Sequence, residues 1–183
     1  YCPEQRWLAV GSQSMVTILD AAAGTVQRRM PVDSPVTALA VRSDGLIAVQ
    51  HARDQILGRV DLWDGNTGKR VRSLTGQSGI EGPMAFSPDG QTLAVGGLTI
   101  RLWNVASGDF SGRIQRGMVG GFSPDGRRIA VSAYNPMMQS DEIRVHSAAT
   151  GQVLARWPGH SQRIMRMAFS LDGRYLASAG MDH

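Results

Sequence analysis

The chain has 183 residues, of which 42% are hydrophobic and 19% charged, and this composition is typical of a folded globular protein rather than a disordered one. No apolar run approaches the roughly 18 residues that a membrane-spanning helix needs, so the sequence predicts no such helix and no membrane partner. The formal net charge is +4, but the basic residues form no long run interleaved with aromatic residues, so the sequence does not indicate nucleic-acid binding. Cys2 is the only cysteine, which excludes an internal disulfide framework and favours a reducing, cytoplasmic compartment.

The first predicted elements are two short strands near the start of the chain. Residues 7–11 and 16–20 have the short apolar pattern that is typical of strands. The turn before them carries Gln5 at the position that glycine occupies in the later turns. We therefore expect this turn to be strained by about 1 kcal/mol or to have a different shape. Because Tyr1 lies inside this unit, we expect the chain to be part of a larger protein.

The same order of strand, turn and strand recurs along the chain, and its most regular example is Phe86–Gly108. There the tetrapeptide Ser87–Gly90 predicts a type I turn, because its proline pre-sets φ and its glycine accepts the left-handed conformation that closes the hairpin. Ile100–Trp103 then alternates with period two, as a half-buried strand does. The other copies place their strands at residues 36–41, 46–49, 60–64 and 69–74; at 118–122, 127–133 and 142–146; and at 164–169 and 175–178.

The turns set the period of the repeat. Their aligned positions are 40, 45, 36 and 47 residues apart, and a period near 40 built from four short strands indicates the blades of a β-propeller. No segment has the apolar period of a useful amphipathic helix, so we predict an all-β fold. The aligned positions are Gln5, Gly45, Gly90, Gly126 and Gly173.

The motifs FSPDG, LAVGG, IRLWN and ASG within residues 86–108 resemble those of the WD-repeat (WD40) β-propeller family, and the resemblance covers nearly the whole chain. In that family a Gly-His pair precedes strand a, a Ser or Thr lies on strand b, an Asp occupies the b–c turn, and a Trp ends strand c. By this resemblance Trp63 and Trp103 occupy the Trp position, and His160, Ser178 and Asp182 form the other three parts in the last copy. Elsewhere the set is incomplete, since His146, for example, replaces the Trp, and apolar packing should then contribute more of the stability.

We predict one propeller segment over residues 1–183, with repeat copies at about 1–24, 25–68, 69–108, 109–151 and 152–183. By the resemblance, the first copy supplies strands b, c and d, three copies form whole four-stranded blades, and the last supplies strands a and b. We expect the remaining blades of the parent chain to complete a ring. A four-bladed closure, in which residues 164–169 supply the missing first strand, is the alternative.

The sequence offers little that points to chemistry. The histidines His51, His146, His160 and His183 are far apart and show no metal-binding spacing, and we predict no metal site, cofactor site or catalytic residue. The glycines of residues 117–121 do not form a phosphate-binding motif, because no helix follows them.

Loop length is the feature that varies most between copies, and loops on a rigid scaffold are where binding usually resides. The connections from strand b to strand c are longest at residues 51–58 and 134–141, and in the resembling family these loops project from the top face, which commonly binds partner proteins. Two alternatives remain open for the second loop: a contact surface, or a cover folded over its own blade. The predicted contact residues are His51, Arg53, Ile56, Leu57, Tyr134, Met137 and Met138.

We therefore predict a non-catalytic scaffold that binds other proteins or peptides through these loops. The alternative is a propeller enzyme, or an accessory or sensor domain of a multidomain bacterial signalling or hydrolytic protein. An enzyme should carry acids or histidines on several of the first strands of the blades. Those strands read VTALAV, PMAF, MVGGF and IMRMAF, which are nearly all apolar and disfavour that alternative.

Overall fold

The protein is described from a computed structural model. In the described residues the chain forms seventeen β-strands and no helix, and accordingly none of these residues belongs to a helix that could cross a membrane. The described residues are 2, 4–52, 57–78, 82–97, 99–114, 117–137 and 139–182. The strands are β1 (Trp7–Gly11), β2 (Met15–Asp20), β3 (Val26–Pro31), β4 (Val36–Val41), β5 (Leu46–His51), β6 (Leu57–Asp64), β7 (Lys69–Ser78), β8 (Met84–Phe86), β9 (Thr92–Val95), β10 (Ile100–Asn104), β11 (Phe110–Ile114), β12 (Met118–Phe122), β13 (Arg128–Asn135), β14 (Ser140–Ser147), β15 (Val153–His160), β16 (Ile164–Phe169) and β17 (Leu176–Gly180).

The strands form five sheets, and within each sheet the strands that follow one another in the sequence pair with one another. Sheet 1 contains β1–β3, sheets 2, 3 and 4 contain β4–β7, β8–β11 and β12–β15, and sheet 5 contains β16–β17. The five sheets contain three, four, four, four and two strands in chain order. This is the content predicted for three whole blades between two partial ones. The predicted all-β propeller fold is therefore confirmed. In the described residues sheet 1 has three strands, and β16 pairs with β17.

The SPDG turn owes its shape to two of its own side chains and to its glycine. The N–H of Gly90 donates to the carbonyl of Ser87 at 2.8 Å, and Gly90 has φ of 68°, which glycine adopts without steric cost. The Ser87 hydroxyl accepts from the Thr92 N–H at 2.9 Å, and the Asp89 carboxylate accepts from the Gln91 N–H at 3.0 Å. These short-range bonds close the hairpin before any distant contact is needed.

The first turn has a different shape, as its Gln5 led us to expect. The left-handed residue is Arg6, with φ of 55°, one position later than the glycine of the other turns. An isolated bridge between Cys2 and Trp7 closes this turn, in which the Cys2 N–H donates to the Trp7 carbonyl at 2.9 Å. A non-glycine residue in this conformation is uncommon because its Cβ crowds the backbone.

The chain forms two compact units, residues 1–84 and 85–183. In the first unit, alternate residues of sheets 1 and 2 point into one core because successive side chains of a strand face opposite ways. In β2, for instance, Val16 and Ile18 are buried while Thr17 is only partly so. The fully buried members of this core include Trp7, Val16, Ile18, Met30, Ile47 and Val49.

The second unit has a core shared by sheets 3 and 4 and a smaller one between sheets 4 and 5. The larger core contains Ala94, Ile100, Leu102, Ile114, Val119, Ile129 and Val131, and the smaller one contains Ile143, Ile164 and Met167. Each interface thus takes apolar residues from two consecutive copies of the repeat. This is the packing that makes a blade depend on its neighbour for stability.

The SPDG-type turns of the second unit also contact one another in sequence. A Cβ placed on Gly126 would lie 3.6 Å from Pro88 Cδ, and one on Gly173 would lie 3.4 Å from Pro124 Cδ. Each glycine therefore faces the proline of the preceding turn. Arg128 strengthens the second contact by donating to the Gly173 carbonyl at 3.3 Å.

Candidate functional site

The most prominent departure from the regular repeat is the hairpin that joins β13 to β14 in sheet 4. Both strands have eight residues, whereas the matching strands of sheet 3, β9 and β10, have four and five. The ladder continues to the pair Asn135 and Ser140, so the turn lies between these two residues. The predicted loop 134–141 is thus corrected to a strand extension with a short tip, and Met138 lies outside the described residues.

Polar side chains brace the end of this hairpin. Asn135 Nδ2 donates to Glu142 at 3.1 Å, Arg144 forms an ion pair with the same carboxylate, and Asn135 Oδ1 accepts from the Met137 N–H at 3.0 Å. Burial raises the pKa of Glu142, but the bonds from Arg144 and Asn135 lower it by more, so this pKa lies below its usual value. Gln139 completes the turn in the left-handed region, with φ of 51°. The hairpin is therefore held by specific bonds up to its tip.

The tip presents apolar side chains to solvent. Met137 is 94% exposed and Tyr134 is 59% exposed. A side chain that covers its own blade would lose most of its exposed surface, and Met137 keeps nearly all of it. Of the two alternatives for this loop, the exposure of Met137 favours contact over cover.

Asp141 ties the same hairpin to the next copy of the repeat. Its Oδ2 accepts a buried hydrogen bond from the N–H of Ile164, the first residue of β16, at 2.8 Å. Within sheet 4, Asp141 pairs with His160 in the β14–β15 ladder. The turn end of the hairpin is thus attached to sheet 5, because a buried backbone N–H strongly favours having a partner.

His160, Ser178 and Asp182 meet at the same end of sheets 4 and 5. His160 Nδ1 lies 2.6 Å from Asp182 Oδ1 and its Nε2 lies 2.9 Å from the Ser178 hydroxyl. Asp182 Oδ2 also accepts from the Ser161 N–H at 2.7 Å. Burial raises the pKa of Asp182, whereas the bonds from Ser161 and His160 lower it by more, so the pKa lies below its usual value. This arrangement orients side chains within the blade and leaves no ring nitrogen of His160 free for chemistry.

The positions that the resemblance assigns to tryptophan are filled in two ways. Trp103 is buried and packs edge-on against Phe110, with ring centroids 6.0 Å apart, while Trp63 is partly buried against the core of the first unit. His146 occupies the position in sheet 4, where it is buried and its Nδ1–H donates to the Gly151 carbonyl at 2.9 Å. These three residues are therefore parts of the scaffold.

The other predicted contact segment, residues 51–58, lies in the first unit. His51 ends β5 and is only 1% exposed, so it does not belong to a contact surface. Leu57 begins β6 and its side chain is not described, while Arg53 and Ile56 lie outside the described residues. Their predicted role in contact remains a prediction.

Sequence reasoning missed the partner of His51. Asp61 on β6 is buried, and its Oδ2 lies 3.1 Å from His51 Nε2. The matching positions of sheets 3 and 4 carry Arg101 and Arg144, so the charge is reversed in sheet 2 alone of these three. That reversal was visible in the sequence and could have drawn attention to the site.

Comparison with known proteins gives one family. A family model described as "WD domain, G-beta repeat" matches residues 60–104 and 151–183. The chain is also similar to "WD repeat-containing protein SL1-17" of Schistosoma mansoni, with 31% identity over 80% of this chain and 48% of that protein. "Transducin beta-like protein 3" of Bos taurus is 27% identical over 91% of this chain and 21% of its own length.

A third relative is "Cell division cycle 20.1, cofactor of APC complex" of Arabidopsis thaliana, which is 25% identical over 68% of this chain and 28% of its own length. The chain thus spans about half the length, or less, of these three curated relatives. Among solved structures, Kuenenia stuttgartiensis hydrazine synthase matches with a TM-score of 0.83, covering 96% of this chain and 53% of its own. Its sequence is 20% identical, so this likeness shows the fold alone.

Proposed function

Because this chain belongs to the WD-repeat family, we propose that it is a non-catalytic scaffold for protein–protein interaction, in which the β13–β14 hairpin holds a peptide or domain of a partner protein. The observation that carries this proposal is the exposed Met137 at the tip of a hairpin whose turn end is held by hydrogen bonds. One relative of the chain is described as a cofactor of a complex, which supports an interaction role of this kind.

The composition of the tip suits protein contact. Burying a methionine or an aromatic side chain at an interface contributes roughly 1.5–3 kcal/mol, and tyrosine and methionine are enriched in such contacts. The methionine side chain is unbranched and adapts to irregular surfaces. Since the hairpin is already ordered by Asn135 and Glu142, binding would cost little conformational entropy in its backbone.

We also propose that residues 51–58 form a second contact segment, through Arg53, Ile56 and Leu57. This is supported by the length of the connection between β5 and β6 and by the family resemblance. In the same way we propose that the repeat copies have the predicted boundaries and that the parent protein supplies further blades.

Catalysis is not part of the proposed function. The rival hypothesis requires acids or histidines on the first strands of several sheets, namely β4, β8, β12 and β16. In the sequence of these strands the polar side chains are Thr37 and Arg166. The likeness to hydrazine synthase lends no support to an enzyme, since at 20% identity it concerns the fold.

The test is a comparison of partner capture and stability in matched variants. We expect Met137→Ser, alone and combined with Met138→Ser, to lower capture of partners from an extract of the source organism by about 10-fold or more, which corresponds to about 1.4 kcal/mol. Thermal stability should not change, because an exposed side chain contributes little to folding. The control is Leu171→Ser, since Leu171 is 97% exposed but lies in a turn at the other end of its strands. Undiminished capture by the double variant would contradict the proposal, as would equal loss of capture and stability.

A further inference from the structure

Three side chains of the first unit bring metal-ligand atoms to one point. His51 ends β5, Asp61 lies on β6, and Asp33 lies in the connection between β3 and β4. One donor atom of each lies within 4.8 Å of the other two. Imidazole nitrogen and carboxylate oxygens are the ligands that zinc and its neighbours among the divalent transition metals accept.

The surroundings of His51 assign its protons. Nδ1 lies 3.4 Å from the Ser34 carbonyl, which is only an acceptor, so in the neutral ring Nδ1 carries the hydrogen. Nε2 then presents a lone pair to Asp61 Oδ2 at 3.1 Å, and these two buried atoms make no hydrogen bond to the described residues. A carbonyl on one ring nitrogen and a lone pair on the other is the arrangement that orients a metal-binding histidine.

A hydrogen bond also orients the Asp61 carboxylate. The Ser73 hydroxyl donates to Asp61 Oδ1 at 2.6 Å, which leaves Oδ2 directed at His51. A buried carboxylate such as that of Asp61 requires a cation or hydrogen bonds beside it.

The cation that faces the two carboxylates in the structure is Arg59. Its Nε lies 3.3 Å from Asp61 Oδ2, and its terminal nitrogen contacts the Asp33 carboxylate. The Nε makes no hydrogen bond to the described residues, so the guanidinium fits Asp61 imperfectly. Arg70 adds a more distant charge, with Nη1 3.6 Å from Asp61 Oδ2. Because the Arg59 side chain is 31% exposed, it can turn into solvent when another cation enters.

We propose that His51 Nε2, Asp61 Oδ2 and an oxygen of Asp33 form a binding site for a divalent transition-metal ion, such as zinc, which displaces the Arg59 guanidinium. Three protein ligands leave at least one position for water, on the side of Asp33, which is 60% exposed. The ion would link the β3–β4 connection to the end of β5, beside the contact segment 51–58. It would therefore fix the start of that segment independently of any partner.

The test is a titration of the chelator-stripped 183-residue chain with Co²⁺ and Zn²⁺. We expect saturable binding of one Co²⁺ with visible ligand-field absorption, and displacement of that absorption by Zn²⁺. Loss of a hydrogen bond that supports a metal ligand weakens metal affinity roughly 10- to 100-fold. Because Asp33 and His51 are proposed ligands themselves, Asp33→Asn and His51→Gln should each weaken Co²⁺ affinity at least as much. Because Arg59 competes for the same carboxylates, Arg59→Gln should tighten binding.

Asp33→Asn keeps the test informative if His51→Gln does not fold, since Asp33 is exposed. The control is Asp44→Asn, which removes another exposed aspartate paired with an arginine, Arg42, and should leave Co²⁺ affinity unchanged. Absence of a saturable Co²⁺ spectrum would overturn the proposal, because a purely structural contact of His51 with Asp61 predicts that result. Equal binding by wild type and Asp33→Asn, or no gain in Arg59→Gln, would overturn it as well.

Discussion

The hydrogen bond from the Ile164 N–H to Asp141 offers the most direct test of how sheets 4 and 5 are joined. Asp141→Ala removes the acceptor and leaves a buried N–H without its partner, because Ile164 is buried. An unsatisfied buried group of this kind costs about 1–3 kcal/mol, with bonds to a charged partner toward the upper end. For a chain of this size each kcal/mol corresponds to roughly 2–4 °C in the melting temperature.

Amide hydrogen exchange reports on this bond locally. If opening at β16 becomes easier by about 1–3 kcal/mol, the Ile164 amide should exchange roughly 5- to 150-fold faster, as measured by mass spectrometry on a peptide covering β16. Asp141→Asn keeps an acceptor oxygen and should lose less. The control is Asp109→Ala, which removes an exposed aspartate of the same unit. If Asp141→Ala changed stability and exchange no more than Asp109→Ala does, the reasoning about this bond would be refuted.

Three further outcomes follow from packing and charge. Gly117→Ala should lower the free energy of unfolding in urea by about 1–3 kcal/mol, since its Cβ would lie 2.5 Å from a backbone oxygen. Gly112→Ala should be tolerated, because the nearest neighbour of its Cβ would be 3.8 Å away. Equal effects of the two substitutions would contradict this reasoning. Ile129→Val should lower the free energy of unfolding by about 0.5–1.5 kcal/mol, because Ile129 is fully buried. An unchanged urea midpoint would contradict this, since it would show that the core repacks around the smaller side chain. The ion pair of Glu142 with Arg144 holds the pKa of that carboxyl below its usual value, so its contribution to stability is present above the unfolded pKa and is lost as pH falls through the folded pKa. Glu142→Gln should therefore reduce the change of the urea midpoint between pH 6 and pH 3. An unaltered pH dependence would contradict the assignment.

The strand order was predictable because turn residues and strand period agree with each other in the copies that follow the first. Ser87, Asp89 and Gly90 act within their own turn, so their sequence alone specifies it. The end of the sheet 4 hairpin was not predictable in this way. Pro136 and the polar residues Asn135 and Ser140 are typical of loops, yet β13 and β14 continue to Asn135 and Ser140 because the hairpin's bonds extend to that pair.

The candidate metal ligands show a second limit of the sequence. His51 follows an apolar strand and precedes a long connection, which made it look like an exposed residue. Its partner Asp61, and the Ser73 hydroxyl that bonds Asp61, lie on other strands and meet only in the folded sheet. No spacing rule joins residues that are brought together by sheet pairing, although the reversed charge at Asp61 was a local sign.

The contact between successive SPDG-type turns bears on how such a chain can grow in evolution. In the second unit the copy that carries Pro124 and Gly126 supplies both halves of this contact, since Gly126 faces Pro88 of the turn before it and Pro124 faces Gly173 of the turn after it. A gene duplication of such a copy would add a glycine and a proline that already match their neighbours. A side chain at Gly126 would lie against Pro88 and would also strain its own turn, where φ is 69°.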